Sequence, residues 1–155
     1  MDADFAERRV RMVDGQIRTV DVTSAPLIEA MLSVPRELFV GAARRDLAYI
    51  DEDVRLGDGR GFPRYLMEPA PLARLIQLAG IGTQDKVLDV GCGTGYSSAL
   101  LSRLAGAVVA LESEPALADK ARTLLSEPGA ANVELVAGPL AQGHAANAPY
   151  DAILI

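Results

Sequence analysis

Val87-Leu-Asp-Val-Gly91-Cys-Gly93-Thr-Gly95-Tyr96 is the segment around which the rest of the chain can be understood. A short apolar run with one acidic residue leads into three glycines, and residues 96–105 then have helical character. This order predicts a β-strand, a tight turn and the start of a helix. Glycine lets a ligand approach the backbone, and a helix start has unpaired N–H groups. We therefore predict a nucleotide-like ligand here; the alternative is a glycine-rich turn without a ligand.

Strands and helices alternate after this segment. Strands are predicted over Lys86–Val90, Ala107–Glu112, 132–136 and 150–155, with helices over 96–105 and from Pro115 until Pro128 and Gly129 end it. The second strand is continuously apolar, which is typical of a parallel sheet covered on both faces. The fold class is therefore α/β, a Rossmann-like doubly wound parallel sheet. Because the sequence stops within an apolar strand, we expect a sheet truncated after strand four, with an exposed edge that permits oligomerisation.

The N-terminal part is predicted to be helical. Residues 1–60 form a helical segment that packs on the core, and residues 61–155 form the ligand-binding half. Ser24 begins one helix, with Pro26 in its first turn. A second short helix is expected over 35–43.

The middle of the chain joins these two parts. Residues 49–56 are either a loop or a short strand. The stretch 57–63 is rich in glycine and proline, which indicates a linker or a functional loop. A further helix begins near Pro69 and stops at Gly80, where a left-handed residue is expected.

Composition limits the classes of function. The 155 residues have a formal net charge of −6, and the arginine clusters lie near acidic residues, so we expect no nucleic-acid partner. No apolar run approaches the ~18 residues of a membrane span, and no apolar stretch follows the acidic N-terminus, so we expect a cytoplasmic protein without a membrane partner. The one cysteine, Cys92, excludes internal disulfides and multi-cysteine metal sites, and we predict no metal. A nucleophilic thiol is disfavoured because the one histidine, His144, lies far away in sequence.

The glycine spacing narrows the ligand. A dinucleotide fingerprint needs its third glycine at position 96, where this chain has Tyr96. The third glycine comes one residue earlier, a pattern that resembles the first motif of class I S-adenosylmethionine-dependent methyltransferases. Glu112 closes the second strand about 20 residues further on, where a carboxylate can accept hydrogen bonds from two ribose hydroxyls; the alternative is a solvated glutamate. Asp89 either orients the amino group of the methionine moiety or caps the turn.

Further segments occur in an order that one family shares. Residues 28–40, Ile-Glu-Ala-Met-Leu-Ser-Val-Pro-Arg-Glu-Leu-Phe-Val, are followed by Ala48-Tyr-Ile-Asp51, Leu56-Gly-Asp-Gly59, the glycine turn, Ala110-Leu-Glu112, Asn132-Val-Glu134 and 148–154. This series resembles the protein-L-isoaspartate O-methyltransferase family over nearly the whole chain. The resemblance implies S-adenosylmethionine as cofactor, bound by Asp89, Gly91, Cys92, Gly93, Gly95, Tyr96, Glu112, Ser113, Gly138, Pro139 and Leu140.

The resemblance also implies the acceptor, an isoaspartyl residue of a protein or peptide that is methylated on its carboxylate. Candidate substrate-loop residues are Asp58, Gly59, Arg60 and Met67, and none is assignable as catalytic. Arg60 replaces the family's glutamine, and Met67 replaces a hydroxyl residue. Gly138-Pro-Leu140 similarly replaces Gly-Asp-Gly near the adenine. Another carboxylate acceptor is therefore an alternative, with Arg60 as its cation or simply as an exposed loop residue.

Carboxyl methylation requires little from side chains. A carboxylate with a pKa near ~4 is already ionised at neutral pH, so no general base is needed. Alignment with the methyl sulfonium and exclusion of water suffice. The leading hypothesis is thus an S-adenosylmethionine-dependent carboxyl O-methyltransferase of the isoaspartate-repair type. The alternatives are a non-catalytic or altered-acceptor relative that binds the cofactor, and a nicotinamide (NAD)-dependent oxidoreductase.

Overall fold

A computed structural model describes residues 2–126 and 129–155. Helix α1 covers Asp2–Met12 and continues as a π-helical turn over Val13–Ile17 and a 3-10 turn over Arg18–Val20. Helix α2 covers Ala25–Ser33. The hydroxyl of Ser24 accepts a hydrogen bond from the amide of Leu27 (3.4 Å), which caps this helix and confirms its predicted start.

The predicted helix over 35–43 is wrong. Two separate 3-10 turns, Arg36–Leu38 and Ala42–Leu47, take its place. Gly41 lies before the second turn with an extended backbone (φ −61°, ψ 151°), so a helical hydrogen-bond ladder cannot continue through it. The segment still contributes to the core, because Phe39 is buried.

An antiparallel hairpin follows. Its strands are β1, Val54–Leu56, and β2, Arg64–Leu66. A short strand, one of the two alternatives, is thus confirmed before the glycine-rich stretch, and 57–63 is the loop between paired strands. The domain boundary expected at residue 60 falls inside this loop and stays a prediction.

Three further helices are close to their predicted positions. Helix α3, Pro69–Ala79, ends at Gly80, which is left-handed (φ 61°) as predicted. Helix α4, Tyr96–Ser102, is shorter than the expected 96–105. The side-chain amide of Asn132 donates to the carbonyls of Ser102 (3.0 Å) and Ala105 (3.1 Å), so it satisfies the free carbonyls at this helix end. Helix α5 covers Pro115–Leu125. The predicted helix breaker Pro128 lies outside the described residues.

The sheet confirms the predicted fold class. Its strands are β3, Lys86–Val90, β4, Ala107–Glu112, β5, Val133–Ala137, and β6, Ala152–Leu154. They are ordered β5-β4-β3-β6 and all are parallel. Because β6 joins on the far side of β3 from β4, the strand order reverses beside β3. Ligands of open α/β sheets bind at the carboxyl edge next to such a reversal.

The core joins the N-terminal helices to this sheet. Met31 of α2, Ile76 of α3, Val87 of β3 and Leu100 of α4 all belong to one buried cluster. A smaller cluster, Leu88, Val109 and Leu111, covers the other face. Among the described residues, no helix combines the length and the apolar character that crossing a membrane requires.

Candidate cofactor-binding site

The glycine turn lies at the carboxyl end of β3. The amides of Gly91 and Cys92 both donate to the carbonyl of Leu111 in β4, at 2.8 and 3.1 Å, which anchors the turn to the neighbouring strand. The amide of Gly95 closes the turn onto the Cys92 carbonyl (2.9 Å) just before α4 begins. The predicted strand–turn–helix order is therefore confirmed.

Two of the three glycines are explained by packing. A Cβ on Gly93 would lie 2.9 Å from Cδ1 of Leu56 in the hairpin, and one on Gly95 would lie 2.9 Å from Cδ1 of Leu125 in α5. Both have positive φ, 61° and 97°, which disfavours any side chain. Gly91 also has a positive φ (77°), but its Cβ position is less crowded, 3.4 Å from Nη2 of Arg64 and 3.5 Å from Cδ1 of Leu140.

Glu112 ends β4 beside this turn, where the spacing predicted a ribose-binding carboxylate. The residue is fully buried. Its Oε2 accepts a hydrogen bond from the Gly93 amide (2.7 Å), and its Oε1 accepts from the amides of Ser113 (2.9 Å) and Glu114 (3.0 Å). The fold thus holds this carboxylate at the carboxyl edge of the sheet. Its function as a ribose ligand stays a prediction.

Arg64, which the sequence reasoning missed, also binds Glu112. Its Nη1 lies 2.7 Å from Oε1 and its Nη2 lies 2.7 Å from Oε2, a bidentate ion pair. The same Nη2 donates to the carbonyl of Gly91 at 3.3 Å. The hydrogen bonds to Glu112 raise the pKa of the Arg64 guanidinium. The pair joins residues 48 positions apart, and no local motif marks Arg64 for this contact.

Asp89 is held by two serines that the sequence reasoning also missed. The hydroxyls of Ser97 and Ser98 each donate to its Oδ2 at 2.6 Å. Burial raises the pKa of the Asp89 carboxyl, and the two serine hydrogen bonds oppose that effect. The carboxylate therefore links β3 to the first turn of α4, close to the predicted turn-capping alternative. Asp89 also lines a small pocket, so its contact with a ligand stays a prediction.

The side chains of two predicted cofactor-binding residues in the turn, Tyr96 and Cys92, are buried. The ring of Tyr96 is fully buried, 5.5 Å from Phe39 in an edge-on pair and under the guanidinium of Arg36. Helix α4 thus directs the Tyr96 side chain into the core, and a cofactor contact by this residue stays a prediction. Cys92 is 5% exposed, and burial together with the charges of Asp89 and Glu112 raises the pKa of its thiol, which opposes nucleophilic chemistry.

The surroundings of the turn form two cavities. The larger, about 1050 Å³ and open, lies between the hairpin loop and the start of α5; it is lined by residues that include Asp58, Arg60, Phe62, Arg64, Glu114 and Lys120. The smaller, about 100 Å³, is lined by residues that include Met67, Asp89, Gly91, Cys92, Ser97 and Leu154.

The predicted substrate-loop residues are therefore separated. Asp58 and Arg60 lie in the hairpin loop, where the Arg60 Nε and an Asp58 carboxylate oxygen are 3.3 Å apart, and the Arg60 side chain is 91% exposed. The carbonyl of Gly59 accepts a hydrogen bond from Arg55 (3.3 Å) in the same loop. Met67 follows β2 and borders the smaller cavity. The four candidates do not form one cluster.

The predicted adenine-side residues do lie next to Glu112. The Gly138 amide donates to the Glu112 main-chain carbonyl at 3.0 Å. Leu140 packs on the smaller core cluster, and its Cδ1 lies 3.5 Å from the Cβ position of Gly91. Pro139 between them is exposed. In the part of the chain that the structure describes, no group of three or more histidine, cysteine or acidic side chains is arranged to hold a metal.

A parallel sheet with a glycine turn after its first strand and a buried carboxylate at the end of its second is the architecture of a class I S-adenosylmethionine-dependent methyltransferase. The family model for protein-L-isoaspartate(D-aspartate) O-methyltransferase matches residues 7–155. The chain belongs to this family. The assignment confirms the predicted family and, with it, S-adenosylmethionine as the family's cofactor, which favours this cofactor over the nicotinamide of the oxidoreductase alternative.

Individual relatives agree with this assignment. The protein-L-isoaspartate O-methyltransferase of Methanoculleus marisnigri is 37% identical over 156 residues, which cover 100% of this chain and 69% of that protein. The enzyme of the same name from Aeropyrum pernix is 41% identical over 159 residues, which cover 99% of this chain and 60% of that protein. A solved protein-L-isoaspartate O-methyltransferase superposes with a TM-score of 0.84 at 25% identity, over 94% of this chain and 47% of that one. The chain spans 60 to 69% of the length of these two curated relatives.

Proposed function

We propose that this chain binds S-adenosylmethionine and takes part in methylating the side-chain carboxylate of isoaspartyl residues in proteins. The observation that carries the proposal is the placement of the glycine turn beside Glu112 at the carboxyl edge of two adjacent parallel strands. In this proposal Glu112 accepts from the ribose hydroxyls, and Asp89 faces the methionine amino group. The backbone at Gly138–Leu140 borders the adenine.

The chemistry fits a site without a general base. S-adenosylmethionine supplies a methyl group on a sulfonium. The acceptor carboxylate, with an ordinary pKa near ~4, is already a nucleophile at neutral pH. What remains for the protein is to hold the acceptor oxygen in line and to exclude water. The apolar side chains of Met67 and Leu154 at the smaller cavity suit exclusion of water beside Asp89.

An altered acceptor is the second candidate, and one observation favours it. Met67 takes the place of the family's hydroxyl residue and borders the smaller cavity. The thioether of Met67 cannot donate a hydrogen bond, so a site that recognises an isoaspartyl backbone has one donor fewer in this chain. Arg60 in the loop is a candidate for pairing with a different carboxylate, although Asp58 already pairs with it.

Two measurements test the proposed function. Calorimetric titration with S-adenosylhomocysteine, with NAD in parallel, tests the cofactor. Transfer of a tritiated methyl group to an isoaspartyl peptide, against the same peptide with ordinary aspartate, tests the acceptor. Binding with transfer only to the isoaspartyl peptide supports the proposal; binding with transfer to both or to neither supports the second candidate. Absence of binding would contradict both.

A matched pair of variants assigns the ribose contact. Glu112→Gln keeps the shape but removes the charge, and a hydrogen bond to a charged group contributes about 1.5–3 kcal/mol, so we expect S-adenosylhomocysteine affinity to fall about 10- to 100-fold. Glu29→Gln, an exposed position on α2, is the control and should bind as the parent does. Equal affinity in Glu112→Gln would contradict the ribose assignment.

The proposal also includes a partner and a compartment. Ile153 of the sheet-edge strand β6 is 56% exposed, which supports oligomerisation through that edge and is tested by sedimentation. A cytoplasmic location is proposed from the single cysteine, since thiols remain reduced there.

A further inference from the structure

Arg64 occupies the hydrogen-bond acceptor positions on Glu112 that the ribose hydroxyls need. Its guanidinium makes two parallel hydrogen bonds to the two oxygens of Glu112, both at 2.7 Å, and lies against Gly91 at the open side of the turn. The Arg64 side chain is 23% exposed and the Glu112 side chain is fully buried. The Arg64 guanidinium therefore lies between the Glu112 carboxylate and the cleft.

The hydrogen-bond capacity of Glu112 shows that the two partners compete. An ionised carboxylate offers about four lone-pair sites. Three backbone amides, from Gly93, Ser113 and Glu114, already donate to it, and Arg64 adds two more donors. The amides are fixed by the turn and by the start of α5, whereas the guanidinium is on a side chain that can rotate away. These five donors already exceed that number, so two ribose hydroxyls can bind Glu112 only if the two Arg64 donors leave.

We propose that Arg64 determines the affinity of this chain for its cofactor by competing with the ribose for Glu112. The inference rests on the proposed function, because it requires an adenosyl ligand that uses this carboxylate. Binding then exchanges one partner of Glu112 for another and moves Arg64 outward. The larger cavity can receive it, since Arg64 borders that cavity together with the carboxylates of Asp58 and Glu114.

A purely structural role for the pair leads to the opposite result. If Arg64 only neutralises a buried charge, removing its guanidinium destabilises the carboxylate and loosens the site. Cofactor affinity then falls together with the melting temperature. If Arg64 is a competitor, affinity rises even where the melting temperature falls. The two changes have opposite signs only in the second case.

The test is calorimetric titration of the full chain and its variants with S-adenosylhomocysteine. Arg64→Met keeps the aliphatic stem and removes the fork, and we expect its Kd to be about 10-fold lower, because two charge-assisted hydrogen bonds no longer have to be broken. Arg122→Met removes an exposed arginine of α5 that pairs with Asp119, and serves as the matched control with unchanged Kd. An equal or higher Kd for Arg64→Met overturns the inference.

A second variant provides the test if Arg64→Met does not fold. Arg64→Lys keeps the charge but cannot donate from a fork, so its Kd should lie between those of the parent and Arg64→Met. A Kd for Arg64→Lys equal to or above the parent's overturns the inference even if Arg64→Met does not fold.

The outcomes separate this inference from the proposed function. Tighter binding by Arg64→Met without methyl transfer by any form supports the competition and contradicts transfer to the tested acceptor. Tight binding by the parent that Arg64→Met weakens contradicts the competition and leaves the proposed function intact. No binding by either form contradicts both.

Discussion

Arg36 should be essential for the stability of the segment that leads into the cleft. Its side chain is fully buried; Nε donates to the carbonyl of Ala48 (2.6 Å) and Nη2 donates to the carbonyl of Met67 (2.8 Å). The guanidinium also lies 5.0 Å from the ring centroid of Tyr96. It therefore joins the N-terminal segment, the end of the hairpin and the start of α4.

Arg36→Met removes both donors and retains most of the volume. An unpaired buried carbonyl costs about 1–3 kcal/mol, and the substitution leaves one such carbonyl at Ala48 and a partly buried one at Met67. Part of this is offset, because burial already disfavours the cation and lowers the pKa of Arg36. We expect a net loss of about 2–4 kcal/mol in the free energy of unfolding, which for a chain of this size corresponds to a melting temperature roughly 5–15 °C lower.

Urea unfolding followed by circular dichroism measures this loss. Arg74→Met carries the same substitution at an exposed position of α3 and should change the midpoint little. Equal midpoints for Arg36→Met and the parent, with unchanged slopes, would refute the reasoning. Such a result would mean that the desolvation of the cation costs as much as its two hydrogen bonds contribute.

Two further outcomes follow from the turn. Gly95→Ala places a Cβ 2.9 Å from Leu125 at a φ of 97°, and should lower the free energy of unfolding by about 2 kcal/mol or more; Gly15→Ala, with open space around it, should not. The raised pKa of Asp89 means that the folded state binds the carboxyl proton more tightly than the unfolded state does. The contribution of Asp89 to the free energy of unfolding is therefore greatest below the ordinary aspartate pKa, and it decreases as pH rises through the pKa of the folded state. In urea unfolding from acid to neutral pH, Asp89→Asn should therefore gain stability relative to the parent as pH rises, and a constant difference would contradict the shift.

The sequence predicted the parts of the site that depend on local order. The strand before the glycine turn and the strand that ends at Glu112 follow from apolar runs and glycine spacing, which act over a few residues. The burial of the Tyr96 ring could not be predicted for a related reason. This residue follows Gly95 directly, but the first turn of a helix can point into the core, and the partners that receive this ring, Phe39 and Arg36, are distant in sequence.

Arg64 could not be predicted because its position depends on long-range packing. Its strand pairs with β1 so that Arg64 lies opposite Leu56, and Leu56 packs on Gly93. The hairpin is thus held on the glycine turn by an apolar contact, and the guanidinium reaches Glu112 only as a consequence. No periodicity within the hairpin records a partner 48 residues away.

In the proposed function, the same hairpin connects the acceptor side of the cleft to the cofactor side. Its loop, 57–63, contains three of the four acceptor candidates, Asp58, Gly59 and Arg60, and its second strand begins with Arg64. An acceptor that shifts the loop therefore also shifts the competitor of the ribose. Coupling of two binding free energies is reciprocal, so an acceptor peptide that tightens S-adenosylhomocysteine binding by some factor must itself bind more tightly by that factor when S-adenosylhomocysteine is present. Because Arg64 transmits the effect in this scheme, the coupling should disappear in Arg64→Met, whereas direct contact between the two ligands would preserve it.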